Sequence, residues 1–144
     1  MSSTQIDEQL TITHTQIIKA LHHLEVSIQK TRLLSVELDA LADEQLEAFE
    51  SLSSRFSRTV DLFTSKWLRA KVLKEEPGFR GSTRDLMNFA EKLELIESSE
   101  KWLELKELRN RQAHDYEDSR LSKLFNAIRA ESETVLNQLR KIFN

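Results

Sequence analysis

Between Arg109 and Tyr116 the chain reads Arg-Asn-Arg-Gln-Ala-His-Asp-Tyr, and only Ala113 is small and apolar. A histidine in such a run can move protons near neutral pH, and an arginine can hold a phosphate through two parallel N–H groups as negative charge develops on it. On a single helix Arg109 and His114 lie about 140° apart around the axis and roughly 7.5 Å apart along it, so they are not a simple i,i+4 pair. Something else must bring them together. Asn110 and His114 are i,i+4 neighbours, and the Asn amide can bond one imidazole nitrogen and so set the tautomer of the other. Arg111, with Glu107 and Asp115 at i,i±4, fits an exposed cation and is a further candidate phosphate contact.

The elements that position this segment follow from apolar spacing. Ile6, Leu10, Ile17, Leu21, Leu24, Ile28, Leu34, Leu38 and Leu41 step mostly by threes and fours, which predicts one long amphipathic helix from Ile6 to Leu41. Leu46, Phe49, Leu52, Phe56, Phe63 and Trp67 predict a second, beginning after Asp43 and reaching about Leu73. Residues 75–81 hold the only proline and both glycines, and Pro77 disfavours helical geometry at Glu76; this is the one clear loop. Ser82 and Asp85 resemble a capping box ahead of a short third helix, a fourth starts at Ser98 or Ser99, and Asp118 is a candidate N-cap for a fifth. The expectation is an all-α, antiparallel bundle of about five helices in a single domain over residues 1–144.

Composition narrows the chemistry. The 144 residues contain no cysteine, so disulfides, thiolate metal sites and cysteine nucleophiles are excluded. No N-terminal signal pattern and no run of apolar residues long enough for a bilayer is present, and the cytoplasm is the expected compartment, with no membrane partner. Twenty-one Lys and Arg against 24 Asp and Glu give a net charge of −3, so any nucleic-acid chemistry must come from a local site. His14, His22 and His23 have no ligand spacing and read as helix surface; no metal and no cofactor are expected. Trp67 and Trp102 sit on apolar stripes and read as core or dimer interface rather than base-stacking platforms.

The run R-N-R-Q-A-H-D-Y matches the Arg-x4-His-x-Tyr signature of HEPN domains, and the chain most resembles the HepT-like toxins, also described as nucleotidyltransferase substrate-binding proteins. The resemblance implies a helical homodimer in which Arg109 and His114 of each copy face a shared cleft, with Asn110 supporting the site. It also implies RNA cleavage without a metal, and a nucleotidyltransferase antitoxin that transfers adenylate from ATP onto Tyr116. A bulky anion there would obstruct the RNA phosphate sterically and electrostatically.

Two other readings stay open. One is a noncatalytic subunit that presents a tyrosine or an interface to a nucleotidyltransferase; the balance of five basic against five acidic residues between Lys101 and Arg120 favours it. The other is a helical adaptor that carries the motif by coincidence, and its mark would be a monomer.

Overall fold

The computed structural model describes the chain except for residues 36, 38, 39 and 113–117, and at positions 112, 118 and 119 it describes the backbone alone. The described residues are all-helical. Helix α1 runs Ser3–Thr31 and α2 begins at Asp43–Asp61, passes without a break through a π-helical segment Leu62–Leu68, and ends as α-helix over Arg69–Glu75. Helices α3 (Thr83–Lys92), α4 (Ser99–Gln112) and α5 (Asp118–Arg140) complete the bundle.

The ends of these helices follow local chemistry. Ser2 caps α1, its hydroxyl accepting from the Gln5 amide while the Gln5 side chain accepts from the Ser2 amide. Ser82 and Asp85 form the expected reciprocal box at the start of α3. Glu76 takes φ −133° and ψ 86°, the extended geometry that the following Pro77 imposes, and there α2 ends. Helix α3 closes in a Schellman arrangement, with the Leu95 amide donating to Ala90 O and the Glu94 amide to Glu91 O; Glu94 occupies the left-handed position at φ 61°.

The first helix is shorter than its apolar spacing predicts. It stops at Thr31 rather than at Leu41, because Arg129 of α5 reaches across and its Nη1 donates to the carbonyls of Thr31 at 2.8 Å and Leu34 at 2.6 Å. Those carbonyls are the acceptors that a continuing helix would have used. Leu33 is then left 95% exposed, although Leu34 and Leu41 still pack at the edge of the core.

One buried cluster takes side chains from all five helices, including Ile17, Leu24, Phe49, Phe56, Leu86, Trp102, Leu105, Ile128 and Leu139. Its aromatic centre joins the π segment to α4 and to the C-terminus. Phe63 lies 4.7 Å from Trp102 and 5.5 Å from Trp67, and Trp67 meets Phe143 edge-on at 5.0 Å. The Trp102 indole Nε1 donates to Gln138 Oε1 at 3.1 Å, so a nearly fully buried ring keeps its one polar atom satisfied. Both tryptophans are therefore core residues. No helix among the described residues is long and apolar enough to cross a membrane.

Candidate functional site

Trp102, Leu105 and Leu108 fix the buried face of α4. Lys106 and Arg109 each follow a buried leucine by one residue, so they are turned about 100° from it, onto the flank that meets α2. There they find Asp61, the last α-helical residue before the π segment. Arg109 Nε donates to both Asp61 oxygens at 2.9 Å, and its Nη2 lies 2.8 Å from Oδ2. Lys106 Nζ stands 3.4 Å from Oδ1 of the same carboxylate and donates to Ser65 Oγ at 3.1 Å.

The pairing is strong enough to govern protonation. Partial burial works to raise the Asp61 pKa, but the Arg109 hydrogen bond and the charges of Lys106 and Arg109 outweigh it and hold the carboxyl below its ordinary value. The Arg109 pKa is raised in turn by its bond to Asp61. The guanidinium has five N–H groups, and its bonds to Asp61 use the Nε and Nη2 edge. Asp61 thus orients Arg109 while removing part of its charge.

The local backbone helps to set this geometry. Within Leu62–Leu68 the buried side chains are Phe63, Thr64, Trp67 and Leu68, whereas Ser65 and Lys66 are exposed. Thr64 Oγ1 donates to Val60 O at 2.7 Å, which satisfies its buried hydroxyl inside the helix. Wider turns of this kind recur at functional sites, where they shift the register of one face against its neighbours. Here the segment follows directly on Asp61.

Arg109, Lys106 and Asn110 of α4 face Arg58, Asp61 and Lys66 of α2 across an open cleft of about 560 Å³. Arg111 is two positions beyond Arg109, about 200° around α4. It lines a different opening, of about 440 Å³, together with Arg120, Lys123, Leu124 and Ala127. The two arginines of the motif therefore serve opposite flanks of one helix end. His114 and Tyr116 lie outside the described residues. Of the other histidines, His14 is exposed with its ring 5.0 Å from Phe143, His22 is exposed, and His23 is half-buried where α1 meets α2.

Asp61 is the residue that reading the motif alone misses. Its signal was present: on the polar face of α2 it is a lone carboxylate spaced among Arg55, Arg58, Lys66 and Arg69. The chain matches no family model, no curated protein and no solved structure.

Proposed function

We propose that the protein is a HEPN-type ribonuclease toxin of a toxin–antitoxin pair, which cleaves RNA without a metal in a cleft shared by two copies of the chain. A nucleotidyltransferase antitoxin neutralises it by adenylating Tyr116. The observation that carries this reading is the setting of Arg109. It is half-buried, oriented through two hydrogen bonds by Asp61, and placed beside Lys106 and Asn110 in a cleft wide enough for a phosphodiester.

In this reading His114 takes the proton of a ribose 2′-hydroxyl, and the resulting oxygen attacks the adjacent phosphorus. The bond to the 5′-oxygen breaks, and that oxygen leaves with a proton supplied by the second histidine of the dimer. The products are a 2′,3′-cyclic phosphate and a 5′-hydroxyl. Arg109 meets the charge that builds on the nonbridging oxygens. Lys106 compensates the charge that Asp61 takes away, so the Lys106–Asp61–Arg109 group keeps one net positive charge. Arg111, with Lys123 in the neighbouring opening, is a second place to receive an RNA phosphate.

One observation favours the noncatalytic alternative. The Asp61–Arg109 pair also ties α4 to α2, and a structural ion pair would do only that. Expression in a bacterial host separates the two. Wild-type protein without its antitoxin arrests growth and His114→Ala does not, at equal soluble levels; full arrest by His114→Ala contradicts the nuclease reading. Tyr116→Phe is expected to arrest growth even when the nucleotidyltransferase is present, and to gain no adenylate mass.

A further inference from the structure

The cleft beside Arg109 does not end on α2. Past Arg58 and Leu62 it continues into a depression of about 230 Å³ that reaches Lys19 and His23 of α1. Along the combined trough lie five cations, Lys19, Arg58, Lys66, Lys106 and Arg109, and a single carboxylate, Asp61. A chain with net charge −3 has concentrated positive charge here. Lys106 and Arg109 share Asp61, whereas Lys19, Arg58 and Lys66 are exposed and pair with no carboxylate among the described residues. On the far side of Arg58 the neighbouring depression holds Glu47 and Glu50 against Arg55 and Arg58, so the excess of positive charge does not continue in that direction.

We propose that this trough is the path of a single RNA strand, whose successive phosphates are held by Lys19, Arg58 and Lys66 on the way to Arg109. The inference rests on the ribonuclease reading for its choice of RNA among polyanions. The His23 pKa is held below its ordinary value first by loss of solvent and then by the charges of Arg55, His22, Arg58 and Lys19, of which Arg58 and Lys19 line the trough. Gln16, Ser65 and Asn110 add neutral hydrogen-bonding groups. Among the described residues no Phe, Tyr or Trp lines either part and His23 is the one ring there, so the hold falls mainly on the backbone.

The test uses the wild-type chain and a fluorescent 2′-O-methyl oligouridylate, which cannot be cleaved because its 2′-oxygen is blocked. The triple variant Lys19→Ala/Arg58→Ala/Lys66→Ala is expected to bind about ten- to a hundredfold more weakly at low salt, with the slope of log affinity against log salt falling by about 2, near 0.7 per lost phosphate contact. The three sites are exposed, and circular dichroism checks that the variant stays folded. A control triple, Arg32→Ala/Lys74→Ala/Lys141→Ala, lowers the net charge equally at cations paired elsewhere and is expected to bind like wild type. Oligoadenylate of the same chemistry should bind as oligouridylate does.

Equal weakening by both triples, or wild-type binding by the trough triple, overturns the path. So does tighter binding of polyglutamate than of the oligonucleotide, which would make the partner an acidic protein. If wild-type protein cleaves RNA but the trough triple binds normally, the path alone fails. If nothing is cleaved but the trough triple loses binding, the nuclease reading alone fails.

Discussion

Two faces of the bundle carry similar numbers of charges and arrange them differently. On one side of the bundle four cations are each matched to an acid: Arg32 with Glu133 at 3.1 Å, Lys101 with Glu131 at 2.6 Å, Lys141 with Glu97 at 3.2 Å, and Arg140 with Glu25. Across the trough between α1, α2 and α4, five cations face one carboxylate. The first face is satisfied within the chain. The second leaves positive potential in a concave surface, where field lines concentrate and a polyanion is favoured. The difference shows why overall charge is a poor guide to partners: the −3 of the whole chain combines a groove at +4, five cations against one carboxylate, with a remainder at −7.

The largest expected effect comes from removing the frame that both faces share. Trp102→Ala deletes a ring packed on Phe63 and leaves Gln138 without its donor, so it should cost about 3–5 kcal/mol in urea unfolding. A loss under 1 kcal/mol would mean that α4, and with it Arg109, is not held by this cluster.

The next comparison sets one acid from each face side by side. Asp61→Asn removes a half-buried carboxylate shared by two cations, and after solvent screening it should cost about 1 kcal/mol. Glu133→Gln breaks a single exposed pair and should cost at most a few tenths of a kcal/mol. On RNA the two should also part, because Asp61→Asn adds a positive charge to the trough, tightening binding and steepening its salt dependence. Equal behaviour of the two variants would erase the distinction between the faces.

The pH dependence sharpens the same point. The folded Asp61 carboxyl lies below its ordinary 3.8, so its contribution is fully present above that pH and is lost as pH falls through the lower, folded value. The stability gap between wild type and Asp61→Asn should therefore be flat at neutral pH and close below about pH 3.8. Asp85, whose pKa is lowered by the hydrogen bonds from the Ser82 backbone and hydroxyl, titrates in the same direction, and taking the difference with Asp61→Asn removes its share.

A further small effect touches neither face. Glu94 holds a left-handed backbone position in the turn that launches α4, and Glu94→Gly should stabilise the protein by about 0.5 kcal/mol. RNA binding should not change. Destabilisation would place the side chain, rather than the backbone, in control of that turn.

Most of the frame was legible in the sequence, and for identifiable reasons. Pro77, the Ser82–Asp85 box and the stripes of Phe and Leu are local signals, and the helices begin or end where they say. The premature end of α1 was not legible, because Leu34, Leu38 and Leu41 keep the helical spacing while the atom that ends the helix, Arg129 Nη1, comes from far along the chain. The site divides in the same way. Arg109 was visible through its motif, but its partner Asp61 stands 48 residues away, and the cations opposite it belong to other helices. Counting charges between Lys101 and Arg120 gave an even balance because Lys19, Arg58 and Lys66 lie outside that window.

The most direct measurement of the central claim is cleavage of end-labelled RNA by the purified, unadenylated chain in the presence of a metal chelator. The account predicts fragments ending in 2′,3′-cyclic phosphate, at rates reduced by about 10²- to 10⁴-fold in His114→Ala and strongly reduced in Arg109→Ala. RNA that stays intact, or that is cut equally by wild type and both variants, would contradict it.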